Sequence, residues 1–468
     1  MKNNKVITMI TIIAVIAIAG AFFGVNYLLD TYVNQQRATQ SGNQAATVRQ
    51  QAVSPANGLI MVTMDSPEES GVCGETLEWY YKDEVLVITG TGEMDEYISS
   101  AGSAPWYSLK SRIGLVILDE GVTSIGGAAF KDCDNMTEIV LPSSLTSIGE
   151  NAFSGCSSLM QINLPDGVTS IGESAFLACY SLRNIVIPDG VRNIGDRAFC
   201  VCSDLREIML PDSVTSIGKG AFFSCSSLVQ IGLPISLTSI EPEVFYNCRN
   251  LTEIDLPDGI TSIGDKAFYG CSSLREIELP DGVTRIGEGA FSSCSGLRGI
   301  RLPDGVTGIA KSAFSDCSSL QQIELLDGVT NIGDDAFKNC SGLTELMLPS
   351  SLINIGKGAF SGCNGLAEIV IPDSLTSIDT GAFSDCAWLT EITIPDSVTR
   401  IGNSAFENCW NLTEITLPDT IISIGNNAFS GCYNLTEIAI PDSVTSIGDY
   451  AFHGCSGLTE ITIPDSVT

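Results

Sequence analysis

The chain has 468 residues, more than one compact core usually spans, with 55 acidic against 23 basic residues and a formal net charge of −32. A surface of that sign repels nucleic acid and anionic lipid headgroups, so neither is expected as a partner of that surface. The one histidine, His453, leaves no Ser/His/Asp or Cys/His set for nucleophilic catalysis.

At the amino terminus Lys2 and Lys5 precede an apolar run from Val6 to Val25, long enough to cross a bilayer as a helix. The lysines favour an inside amino terminus, placing everything after residues 6–25 outside the membrane. Two fates are open for residues 1–30: an uncleaved signal anchor or a cleaved signal peptide. Ala17-Ile18-Ala19 offers a small-residue cleavage site, but Ala21, Phe22, Phe23 and Val25 continue the apolar run past it and favour the anchor. Residues 31–70, rich in Gln, Ala, Ser, Asn and Thr, read as a flexible polar linker. Residues 71–112 read as a β-rich cap, with Trp79, Tyr81, Val85, Val87 and Trp106 as apolar cover for the first repeat.

From residue 113 onward the chain is periodic. A phenylalanine recurs every 23 residues, fifteen times, from Phe130 to Phe452. A cysteine stands three positions after each, from Cys133 to Cys455. An unbroken period of this length is the signature of a solenoid. In the turn from Leu251 to Cys271, Leu251, Ile254 and Leu256 form an L-x-x-I-x-L strand with Glu253 and Asp255 facing solvent. Pro257 ends the strand and Asp258-Gly259 suits a turn. Ile260 and Ile263 make a second apolar segment, Gly264 allows a sharp bend, and Ala267, Phe268 and Cys271 sit on a helical or 3₁₀-like return. One such rung buries too little to offset its ordering entropy and folds only by stacking. The expected fold is a repeat solenoid over residues 113–468. It is leucine-rich-repeat-like and β-strand-rich, with short helical or 3₁₀ turns, in a right-handed array of about fifteen repeats and a partial one, preceded by an amino-terminal membrane helix.

The L-x-x-I-x-L strand, the V-T-S-I-G segment (Val214 to Gly218, Val444 to Gly448) and the A-F-x-x-C turn resemble the BspA-like leucine-rich repeat family. Cys73 to Trp79, Thr89 to Gly92 and Ala104 to Tyr107 resemble the segment that introduces such arrays. The resemblance implies an adhesive surface protein of a bacterium or protist that binds host matrix proteins or other cells.

Cysteines at one repeat position form a single file and cannot converge on a metal, so each is expected to be a small buried hydrophobe whose S–H bonds a backbone carbonyl. Cys200, outside the file, is expected to face solvent. Free thiols in an exported protein suggest a reducing or anoxic habitat. Carboxylates recur as a regular ladder without a loop to build a cleft, so no catalytic residue, metal or cofactor is expected. The aspartates after the strand-ending Pro, such as Asp166 and Asp442, read as turn chemistry.

The outward columns of the L-x-x-I-x-L strand are where a ligand is expected. Nearer the amino end Val140, Met160, Val186, Met209 and Val229 are expected to form an apolar stripe, the kind of patch that marks a contact site. Arg183, Arg206, Arg275, Arg298 and Arg301 place positive charge beside Glu276 and Glu278. The expected partner is a protein or glycan on a host matrix or another cell. The alternative is a structural envelope component that self-associates through its carboxyl-terminal turns.

Overall fold

Repetition of one hydrogen-bonding scheme builds the array. The computed structural model describes residues 48–54, 58–64, 66–97 and 103–468. The apolar run at 6–25 lies outside the described residues, among which no helix is long and apolar enough to cross a membrane. Within the segment expected to be a flexible linker, β1 (Val48–Ser54) and β2 (Gly58–Met64) pair antiparallel. The run Leu59-Ile60-Met61-Val62 supplies the β-forming residues that the polar reading of 31–70 passed over.

Three antiparallel strands, β3 (Glu69–Val72), β4 (Leu77–Lys82) and β5 (Val85–Gly90), come next. After β6 (Gly92–Glu93), the pairing turns parallel: β5 pairs with β7 (Leu115–Leu118), which pairs with β9 (Glu138–Val140), while β6 pairs with β8 (Val122–Ile125). From there every strand pairing joins residues 23 apart, as in Ile148 with Ile171 and Ile162 with Ile185.

Most rungs carry two strand segments, and after β8 the second, at the V-T-S-I-G motif, is only two residues long, as at Ser170–Ile171. The first pairs in sets with breaks between them, one between Glu324 and Glu368 and the longest between Gly232 and Gly299, where a bridge from Glu278 to Arg301 is the one pairing left. The longest break coincides with the rungs of Glu253/Asp255 and Glu276/Glu278, where carboxylates occupy both outward positions on adjacent turns.

The return segment forms a third ladder. The Lys266, Phe268 and Gly270 N–H groups donate to Glu288, Ala290 and Ser292 carbonyls of the next rung, each at 2.8 Å. The intervening amides of Ala267, Tyr269 and Cys271 donate within the rung to Gly264, Lys266 and Phe268 at 3.1–3.2 Å. That alternation needs a left-handed residue two before and two after the phenylalanine: Lys266 at φ 54°, Gly270 at φ 72° and even Val201 at φ 61°. The returns are therefore linked four-residue turns, each closed by a bond between residues three apart. Among the described residues the one helical element is a 3₁₀ turn at Tyr107–Leu109. Gly264 serves close approach rather than a bend: a Cβ there would stand 2.5 Å from Pro242 N and 2.7 Å from Glu241 C of the preceding rung.

The core is a pile of rings. Phe130 to Phe452 stack with centroids 5.2–5.9 Å apart and planes within 21°. Such offset stacking adds to the area each ring buries. Trp106 continues the pile at the amino end, stacked on Phe130 at 5.7 Å and met edge-on by Trp79 and Tyr97. Its Nε1–H donates to Ala129 O at 2.8 Å.

Candidate binding face

The cysteine file settles what the thiols do. From Cys156 to Cys455 each Sγ–H donates to a phenylalanine carbonyl of the preceding rung, for example Cys271 to Phe245 O at 3.1 Å and Cys455 to Phe429 O at 3.0 Å. Phe245 O also accepts the Cys248 N–H, so one carbonyl uses two acceptor sites. Cys133 and Cys271 are buried, and Cys455 in the final full turn is 9% exposed. Burial pushes the thiols of Cys133, Cys340, Cys386 and Cys432 up to about 12, which leaves them unreactive at neutral pH. Cys200 does not face solvent: it is 7% exposed, because its column neighbours on adjacent rungs are the bulky Leu177 and Phe223. Among the described residues no group of three or more His, Cys, Asp or Glu is disposed to hold a metal ion.

The candidate residues fall on three columns of the strand-lined face. Met160, Arg183, Arg206, Val229, Arg275 and Arg298 share one column, Glu276 lies on the next, and Val140, Val186, Met209, Glu278 and Arg301 share the third. Val186 and Met209 stand open, 72% and 65% exposed, on neighbouring rungs. Met160 and Val229 are 45% and 41% exposed. The Met209 side chain lies across Gly232, where a Cβ would collide with its Sδ and Cε. Val140 differs from the expectation: it is half-buried against the small cluster of Val87 and Ile117.

The arginines divide. Arg183 pairs with Asp204 at 3.5 Å and Arg301 with Asp281 at 3.4 Å. Such exposed pairs contribute little. Among the described residues Arg206, Arg275 and Arg298 make no ion pair, so their guanidinium groups are free for a ligand. Two shallow depressions are open polar grooves, one lined by Asp316, Asn339 and Asn364, the other by Asp189, Pro211 and Asp212. Neither gathers a nucleophile with a base.

The BspA type leucine-rich repeat region model matches residues 123–252, 238–367 and 353–468 in six copies. The chain belongs to the BspA-type leucine-rich repeat family. A leucine-rich repeat protein from Bacteroides ovatus is 31% identical, with 84% of this chain and 94% of that one covered and a TM-score of 0.62. A leucine-rich cell surface protein from Faecalibacterium prausnitzii is 27% identical, covering 80% of this chain and 95% of that one at a TM-score of 0.47. No match to a curated protein was found.

This BspA-type array also exposes apolar side chains that sequence reasoning passed over. Met347 and Val370, 85% and 71% exposed, share the Val186 column on adjacent rungs. Trp388, Trp410 and Tyr433 are 64%, 49% and 51% exposed at a different corner of the rung. Trp388, Trp410 and Tyr433 stand where their columns mostly hold Ser, Asn or Gly, and that departure was the readable signal.

Proposed function

We propose that this is a non-catalytic surface protein that binds a protein or glycan on a host matrix or another cell through the strand-lined face, in the manner of an adhesin. The observation that carries this reading is the exposed pair Val186 and Met209 on neighbouring rungs of the strand-lined face, set beside Arg183 and Arg206. Apolar anchors rimmed by arginine are the usual make-up of a binding hot spot. The reading places residues 1–30 as the membrane anchor or secretion signal and residues 71–112 as the cap of the array. It puts the repeats on the outer face of a bacterial cell. The test is capture of matrix proteins and cell-surface extracts by the wild-type chain and by Val186→Glu/Met209→Glu. Retention of the fold by circular dichroism with at least about tenfold weaker capture is expected. Equal capture by both proteins removes the assignment.

A second reading rests on the last rungs. Ile461 and Ile463 are 36% and 48% exposed, and Phe452 is half-buried where the other ladder rings are covered. A self-assembling envelope component would use these side chains for end-to-end contact. Sedimentation that grows with concentration, and is abolished by Ile461→Glu/Ile463→Glu, would favour it.

A further inference from the structure

The carboxyl-terminal turns hold a feature that neither stacking nor the strand-lined face requires. Trp388, Trp410 and Tyr433 lie on three successive rungs, just after ladder cysteines Cys386, Cys409 and Cys432. Nothing in the turn itself calls for an aromatic residue there. The equivalent of Trp410 and Tyr433 is serine at Ser157, Ser226 and Ser272, and the same backbone bond closes the turn in both cases. Leu412 N–H to Cys409 O and Leu274 N–H to Cys271 O are both 3.1 Å. Nor do the rings serve one another. Phe223, Tyr246 and Tyr269 form a satisfied outer stack with centroids 4.4 and 4.6 Å apart. Among the described residues Trp388, Trp410 and Tyr433 stack on no other ring. The chain's remaining tryptophans, Trp79 and Trp106, are 4% and 0% exposed.

The electrostatic setting selects a partner. Residues 361–468 hold fourteen Asp and Glu against one cation, Arg400. Asp385 and Glu391 flank Trp388 in the chain, Glu407 and Glu414 flank Trp410, and Glu437 follows Tyr433. None of these carboxylates makes an ion pair among the described residues. The amides that a sugar would use are already taken: Asn411 Nδ2 donates to Ala387 O at 2.7 Å, Asn434 Nδ2 donates to Asn411 Oδ1 at 3.2 Å, and Asn364 Oδ1 accepts the Ala387 N–H at 3.2 Å. Exposed indole faces in an unneutralised negative field attract a cation twice, through the ring quadrupole and through the field.

We propose that Trp388, Trp410 and Tyr433 form a second binding site, separate from the strand-lined face, for a Lys- or Arg-rich segment of a partner protein. The carboxylates steer the basic segment in, and the rings discriminate by receiving guanidinium or ammonium groups on their faces.

The test titrates the full chain with an oligo-arginine peptide, read by tryptophan emission and by calorimetry, beside an oligo-glutamate peptide and a neutral chitooligosaccharide. Oligo-arginine is expected to quench emission and to bind more weakly as salt rises. Diffuse attraction to an acidic protein would give that salt dependence alone, so the variants decide. Trp388→Leu and Trp410→Leu keep apolar area but remove the indole, and each is expected to weaken binding by about 2- to 30-fold. Trp410→Tyr is expected to recover part of the loss. Arg206→Ala, on the strand-lined face, is expected to leave this affinity unchanged, which separates this site from the one proposed above. Unaltered affinity in both leucine variants, each folded by circular dichroism, overturns the proposal. So does saturation by the oligosaccharide without a response to oligo-arginine.

Discussion

Trp106 and Trp410 are the same residue type with opposite fates. Trp106 sits where a ladder phenylalanine would, stacks on Phe130, satisfies its N–H on Ala129 O and is 0% exposed. Trp410, four positions after ladder ring Phe406, is 49% exposed and stacks on nothing among the described residues. The difference teaches that in a stacked array the column, not the residue type, decides burial. The place of the ladder ring is roofed on every rung but the last, and the place four residues later is buried on none. An aromatic in the first contributes to stability, while one in the second is left for function.

The largest perturbation tests the roofed column as a whole. The buried thiols, ordinarily near 9 and held up to about 12 at Cys133, Cys340, Cys386 and Cys432, keep their protons when folded at pH values where the unfolded chain releases them. The folded state then binds more protons than the unfolded one, so stability is complete below pH 9 and falls between 9 and 12. The slope should be about 1.4 kcal/mol per pH unit for each buried thiol. Chemical denaturation across that range should show cooperative alkaline unfolding, steeper than tyrosine and lysine titration alone produces. A flat profile to pH 11 would mean the file is not buried.

Trp106→Ala should cost about 3–5 kcal/mol, read as a loss of hydrogen-exchange protection in the first turns. Replacing Val201, a β-branched residue at φ 61°, should act in the other direction. Val201→Asn is expected to raise stability by about 1 kcal/mol in urea melts, because asparagine tolerates the left-handed region. Smallest of all, Trp410→Ala should move the urea midpoint by no more than about 0.5 kcal/mol equivalent. A large loss there would make Trp410 a core residue and erase the contrast with Trp106.

Much of this was legible from spacing. Phe130, Cys133 and the Ile pairs announced their burial by recurring in register, because a side chain that repeats unchanged at every turn is one that every turn must pack. Even the thiol-to-carbonyl bond followed from residue type and burial. The left-handed residues were legible only in part: two after the phenylalanine the column is mostly Gly, Asn or Asp, which tolerate that region, while Val201 and Lys266 owe their φ to the third ladder. Cys200 was misread for a related reason: its cover comes from Leu177 and Phe223, each 23 residues away, and not from its own neighbours in the chain. Of the candidate face, the columns were readable, but which arginines are occupied was not. Arg183 and Arg301 find aspartates on neighbouring turns, while Arg206, Arg275 and Arg298 do not.

The sequence by itself determined that a rung of 23 residues repeats, which side chains it must bury, and that no rung folds alone, because those follow from periodicity and burial. Only the tertiary structure decided which side chains stay uncovered. Exposure at any position depends on what the turns before and after place above and below it, and that is set by the distance between rungs, not by the order of residues along one.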